Sequence, residues 1–326
     1  MAKRGPAVGV VGAGSLVGRE ILNLLEGVPA VAEIRALSDR MAGTALEWRG
    51  GDLTVEDLDD EGLAELAVAI FCPGEKRSRR WAQVAADKGA AVIDLSAARR
   101  LDPATGLAGA REAALPARGR VVSLPGAASL LAARLLEPLE RPAGVQALEA
   151  TLLLPASGAG AAGVRELSRQ SAKLLSSGQS PARRFPHRLA FNVIPEVMGF
   201  EGQEDRAELA FRRELRRLLG APELTVTVTA VRVPVFFGLC AALTVQLARP
   251  LDAGAARELW QGRAGVELID EPSQHLYPMA SLASGYDGVL VGRLRSAGPR
   301  LSCFAATDPL KLIGRAAVQA TLAALR

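Results

Sequence analysis

Two strand-to-helix junctions in this chain have the residue types that handle anions. In VGVVGAGSLVGREIL (8–22), Gly12, Gly14 and Gly18 lie between an apolar strand and a helix. Bare backbone N–H groups and the positive end of a helix suit the pyrophosphate of a dinucleotide there. The spacing departs from G-x-G-x-x-G, because Val17 stands three after Gly14, so a plain tight turn remains the other reading. In VVSLPGAASLLAARLLEPL (121–139), an apolar strand end turns sharply at Leu124-Pro125-Gly126 and helical spacing begins at Ala127. A helix start lowers a thiol pKa and can hold an oxyanion, which makes such a turn a favoured place for a nucleophile. Its tip carries Ala127 and Ala128, which have no reactive atom.

Other reactive side chains are scattered. The three cysteines, Cys72, Cys240 and Cys303, are far apart and give neither a disulfide framework nor a metal-ligand spacing. Cys72 ends a strand in IFCPG, and Cys240 and Cys303 sit in apolar strands, so all three read as small buried hydrophobes. His187, in an Arg/Pro-rich stretch, and His275, in PSQHLYP, are paired in sequence with no thiol or carboxylate, and both read as surface or structural. Asp94 and Glu196 read as structural hydrogen-bonding carboxylates. The run Lys76-Arg77-Ser78-Arg79-Arg80 opens a helix pattern and reads first as a solvated helix start, with contact to a phosphate ligand as the second reading.

The elements that must position these groups follow from the pattern of apolar residues. Strands at 7–11, 34–38, 67–72, 91–95 and 121–124, with helices at 17–25 and 78–88, predict a Rossmann-type doubly wound parallel sheet, an α/β fold. From 146 the pattern changes. A strand at 146–154, a helix at 163–175 and period-two alternation through 224–247 predict a second, α+β domain with an antiparallel or mixed sheet. The Ser/Gly/Pro/Arg stretch at 176–186 reads as a loop, and a last helix runs from Pro309 to Leu325.

Taken in order, VGAGSLVGREIL, LSDRMAG, LEWRG, VEDL, VIDLSAARRLDP, SGAGAAGVREL, FNVIPEV and RVPVFFG resemble the aspartate-β-semialdehyde dehydrogenase family nearly end to end. The resemblance implies an NADP-binding Rossmann-like domain at 1–125, completed by the helix at 308–326, and a dimerisation and substrate-type domain at 126–307. It implies a homodimer and a reaction in which a cysteine forms a thioester, hydride moves between the acyl carbon and the nicotinamide, and a histidine acts as acid and base. It also places Gly12, Gly14, Ser15, Leu16, Val17, Ser38, Arg40, Ser157 and Gly158 beside the cofactor, and Arg100 and Arg232 on phosphate and carboxylate.

The departures fall on the chemistry. The family's cysteine turn is LPGAAS here, with Leu124 for its asparagine and Ala127 for the cysteine. The histidine position after RVPVFFG is Leu239, and a glutamine position is Leu154. A glutamate and a lysine fall near Ala207 and Ala210, with Glu208 one step away, and a further asparagine falls near Ala114. The family's middle glycine is Ser15, its second ribose-loop serine is Met41, and its late Asp-Asn is Asp308-Pro309. Joint loss of a catalytic unit is strongly non-additive. Two readings stand: a non-catalytic relative that binds, regulates or scaffolds, with a pocket for a small dicarboxylate or nucleotide, or an enzyme, either a functional NADP-dependent aspartate-semialdehyde dehydrogenase or a residual or altered oxidoreductase.

The net charge of +4 comes with 34 arginines against five lysines in an Ala/Gly/Leu-rich chain, which reads as compositional bias rather than a nucleic-acid surface. Apolar stretches fall short of a membrane span, and the N-terminal MAKRGPAVGVVGAGSL runs straight into a strand, so neither membrane nor signal peptide is read and the expected location is cytoplasmic.

Overall fold

The computed structural model describes residues 6–109, 116–176, 178 and 180–326; the position near Ala114 lies outside them. The chain divides into two compact units, Met1–Gly126 with Ile313–Arg326, and Ala127–Leu312.

The first unit is built on eight strands: β1 (Ala7–Val11), β2 (Glu33–Ser38), β3 (Ala45–Trp48), β4 (Gly51–Asp57), β5 (Leu66–Phe71), β6 (Ala91–Asp94), β7 (Gly106–Leu107) and β8 (Val121–Ser123), ordered β3-β4-β2-β1-β5-β6-β8-β7. All pairs are parallel except β3–β4. Near-continuous apolar runs such as LAVAIF in β5 reflect strands buried on both faces. Helix α1 (Leu16–Glu26) turns Val17, Ile21, Leu22 and Leu25 inward, and α2 (Glu75–Asp87) adds Ala82, Ala85 and Ala86 to a cluster with Val11, Leu37 and Phe71. The β3–β4 hairpin escapes the sequence pattern because its two-residue turn, Arg49-Gly50, has positive φ at both positions, one of them an arginine (52° and 71°).

The second unit carries α3 (Ala127–Ala143), β9 (Val145–Leu154), a short turn at Ala156–Ala159, α4 (Gly160–Leu175), a small hairpin β10 (Phe200–Glu201) and β11 (Glu204–Asp205), and α5 (Arg206–Leu219). There follow β12 (Thr225–Arg232), β13 (Leu239–Leu247), α6 (Ala253–Trp260), β14 (Val266–Leu268), α7 (Ala280–Ala283), β15 (Val289–Ala297) and β16 (Arg300–Thr307), and α8 (Pro309–Ala324) closes the chain. The sheet order is β12-β9-β13-β16-β15-β14, mixed, with β12 parallel to β9 and β13 antiparallel to it. The period-two run through 224–247 is therefore two strands that do not touch: β9 separates them, and residues 233–238 carry the crossover.

This is the expected pairing of a Rossmann-type sheet with an α+β domain. Helices start earlier than the apolar spacing suggests, α2 at Glu75 rather than Ser78 and α4 at Gly160 rather than Gly163, because first turns are polar or glycine-rich and lie outside the periodic stripe.

Candidate functional site

In the first unit the glycine turn is shaped by close approaches. Gly12 has φ +81°, and its N–H donates to Leu37 O at 2.7 Å, tying the turn to the end of β2. Ser15 caps α1, its hydroxyl accepting from Gly18 N at 3.1 Å. A Cβ on Gly18 would stand 2.5 Å from Gly12 O, so the helix can seat against the turn only with glycine there. Among the described residues the amides of Ala13, Gly14, Leu16 and Val17 donate to no protein acceptor, at the positive end of α1. That set fits a diphosphate.

Two side chains lie over this cradle. The Met41 thioether rests on Gly14, its Sδ 2.3 Å from where a Cβ would be, and Arg77 Nη1 is 2.9 Å from the equivalent point on Gly12. Arg77 also grips Asp39 Oδ1 through Nε and Nη2, at 3.1 and 2.6 Å. Partial burial works against the Asp39 charge, but the Arg77 bond and charge outweigh it and hold the carboxyl below its usual range. The basic run is thus divided: Lys76, Arg79 and Arg80 are exposed, Ser78 is buried, and Arg77 folds back over the turn. Sequence spacing gave no sign that Arg77 differs from its neighbours. Ser38 is buried and its hydroxyl accepts from Arg40 N at 3.2 Å, while the Arg40 side chain is exposed.

Elsewhere in this unit Asp94 is structural, buried and accepting from Ser78 Oγ at 2.5 Å and Ser96 N at 2.8 Å. Arg100 is half-buried and donates through Nη2 to Leu95 O at 2.5 Å.

In the second unit the chemistry gathers around Arg232. Along β12 the inward positions are Val226, Val228, Ala230 and then Arg232, so a guanidinium ends an otherwise apolar series. Its neighbour in β9 is the half-buried Leu154. Arg232 is 4% exposed, donates to Pro155 O at 2.7 Å and Val197 O at 3.5 Å, and forms no ion pair with a described residue. Burial pushes it down to about 10, the Arg184 charge acts in the same direction, and Asp205 opposes. Ser157, 4% exposed, has a hydroxyl without a hydrogen-bond partner among the described residues. The segment Phe191–Val197 is held against β12 by reciprocal Ile194–Arg232 backbone bonds, 3.0 and 2.8 Å, and Phe185 places its ring 6.0 Å from the guanidinium carbon.

The carboxylates nearby are committed elsewhere. Glu208 closes the α5 capping box with Asp205 and accepts from Ala230 N at 2.8 Å. Asp205 also takes Val197 N and Met198 N. Glu196, read from the sequence as a structural hydrogen-bonding carboxylate, makes no bond to a described residue; Asp205 does that work for the segment instead.

Ala127 is the first residue of α3 and Leu239 the first of β13; both are buried, Leu239 at 2% exposure. Neither is replaced by a nearby thiol or imidazole prepared for catalysis. Burial pushes Cys72 and Cys303 up to about 12 and Cys240 up to about 11. Cys240 packs with Ala283, Leu290 and Ala306, and both histidines are exposed. Among the described residues no three His, Cys, Asp or Glu side chains cluster as a metal site would need.

The chain matches known proteins over nearly all of its length. Residues 7–161 match the semialdehyde dehydrogenase NAD binding domain, and 136–310 match the semialdehyde dehydrogenase dimerisation domain. The chain is 30% identical over 319 residues to aspartate-semialdehyde dehydrogenase from Aquifex aeolicus, covering 94% of each. It is 33% identical over 333 residues to the Mycolicibacterium smegmatis enzyme, covering 93% of this chain and 94% of that one. This chain belongs to the aspartate-semialdehyde dehydrogenase family. Among solved structures, aspartate semialdehyde dehydrogenase II from Vibrio cholerae, complexed with ASA, superposes with TM-score 0.91 at 27% identity over 98% of both chains.

Family membership supplies a dimerisation domain and an NAD(P)-binding Rossmann domain, in a family of amino-acid biosynthetic oxidoreductases. No described helix is long and apolar enough to cross a membrane.

Proposed function

We propose that this chain is a family member without the cysteine-dependent dehydrogenase reaction, acting as a homodimeric binding, regulatory or scaffolding protein for a small carboxylate ligand. The observation that carries this reading is the pair Ala127 and Leu239, together with three thiols that burial keeps protonated. Thioester formation needs a thiolate, and its proton needs a base. Alanine at the start of α3 and leucine at the start of β13 supply neither.

The carboxylate class follows from Arg232. A planar guanidinium with five N–H donors has two engaged on backbone carbonyls and no carboxylate counter-ion among the described residues. A carboxylate is the ligand that such a fork pairs with bidentately, and pairing offsets the cost of burying the charge. Ser157 adds a hydroxyl in need of a partner on the turn beside it. In the first unit, Gly12, Gly14, Ser15, Leu16 and Val17 would hold the diphosphate of a nicotinamide dinucleotide, which when bound supplies hydride chemistry. In the same unit, Arg100 and the ribose loop at Ser38 and Arg40 belong to the residues assigned to phosphate and cofactor.

The test is direct. Purified protein given aspartate semialdehyde, phosphate and NAD or NADP should form no reduced nicotinamide. Turnover abolished by a thiol reagent would overturn the reading. The double variant Ala127→Cys with Leu239→His should gain measurable activity, because it returns a nucleophile and a base to the two positions.

A further inference from the structure

We propose that Asp39 selects the nucleotide: the first unit takes a dinucleotide with a free 2′-hydroxyl on its adenosine ribose, NAD(H), over one bearing a 2′-phosphate, NADP(H). The proposal rests on the reading that the glycine turn holds a dinucleotide diphosphate.

The placement comes from the sheet. Val11 and Leu37 are register partners in parallel strands, and Gly12 N bonds Leu37 O, so the ends of β1 and β2 leave the sheet side by side. Asp39 follows two residues later, where a Rossmann unit meets the adenosine ribose. Arg77 fixes the distance, since one guanidinium spans from Gly12 to the Asp39 carboxylate. Both Arg77 bonds land on Oδ1, which leaves Oδ2 able to accept from a ribose hydroxyl. A carboxylate accepts from a 2′-hydroxyl and repels a 2′-phosphate dianion at the same point.

The rest of the loop gives a phosphate little in exchange. Met41, whose thioether has no donor, packs on Gly14 beside the turn. The backbone N–H of Arg40 is spent on Ser38 Oγ. The Arg40 side chain is exposed to solvent, and Arg77 is already neutralised by Asp39, so an incoming 2′-phosphate would have to compete with that carboxylate for Arg77.

Titration calorimetry with NADH and NADPH separates the outcomes. Wild-type protein should bind NADH at least tenfold more tightly than NADPH. Asp39→Asn, which keeps size and one acceptor but removes the charge, should retain NADH binding and gain NADPH affinity, narrowing the ratio several-fold. Asp39→Ser should reverse the preference; thermal melts of both variants check that the loop survives loss of the Arg77 partner. Equal or tighter NADPH binding by wild type overturns the selection while leaving the dinucleotide reading standing. An unchanged ratio in both variants overturns the role of Asp39. Heat from neither nucleotide overturns this proposal and the dinucleotide reading together.

Discussion

A methyl group on Gly158 would stand 2.7 Å from Nη1 of Arg232, so the glycine is what lets a buried guanidinium lie against the turn that follows β9. The two residues act as one feature: the arginine bonds Pro155 O from beneath, and the turn above it has no side chain to interfere.

Gly158→Ala should therefore displace the guanidinium from a place where it has little room to move. The expected cost is about 1–3 kcal/mol of stability, as for other overpacked interiors. A rise in Tm produced by succinate or malonate in wild type should shrink or vanish in this variant and in Arg232→Met. Thermal scans with and without the dicarboxylate measure both effects, and an undiminished rise in Arg232→Met would remove that residue from the pocket.

The three thiols make a pH prediction. Their folded values, about 11 to 12, lie above the range of about 8.5–9 for an unfolded cysteine. A raised folded value contributes stability that is intact below the unfolded pKa and is lost as pH climbs through the folded one. The urea midpoint should fall from pH 8 to pH 10 as unfolded thiols ionise and folded ones do not. Arg232 acts in the opposite sense, its burial cost easing only above about 10. Ellman's reagent at pH 8 should find three thiols in denaturant and almost none in the native protein.

Asp94→Asn should destabilise the first unit by about 1–3 kcal/mol in urea titration. The carboxylate is buried and accepts from both Ser78 Oγ and Ser96 N, and an amide must turn a donor toward one of them.

Glu208→Ala should cost a further about 1–2 kcal/mol of the second unit, because one side chain serves both the α5 capping box and the Ala230 amide. Glu208→Gln, whose amide keeps one acceptor but turns a donor toward either Asp205 N or Ala230 N, should recover only part of that loss. Wild-type denaturation midpoints in both variants would show that the carboxylate side chain bears no weight here.

The parallel sheet was legible because strands buried on both faces read as unbroken apolar runs, and the glycine turn because a helix seated that closely excludes Cβ at Gly18. Ala127, Leu154 and Leu239 carry no reactive atom in the sequence, and the fold places them at the start of α3, the end of β9 and the start of β13. What escaped were relationships that period and spacing do not encode. Arg77 looks like any residue of a basic helix start, and only the fold brings it to Gly12 and Asp39. Glu208 stands one step from the position where the resemblance puts a glutamate, and the backbone consumes it. The separation of β12 from β13 by β9 is equally silent, since alternation tells which face a residue takes and not which strand lies next to it.

The discontinuity of the first unit sets an order of events during synthesis. Gly314 lies against α1, where a Cβ would meet Leu24 at 3.0 Å and Glu20 at 3.3 Å, although the whole of Ala127–Leu312 is made between the two. A nascent chain therefore carries α1 with one flank uncovered while the second unit emerges, and that flank is apolar at Ile21 and Leu24. The unit whose residues leave the ribosome first is the last to be closed.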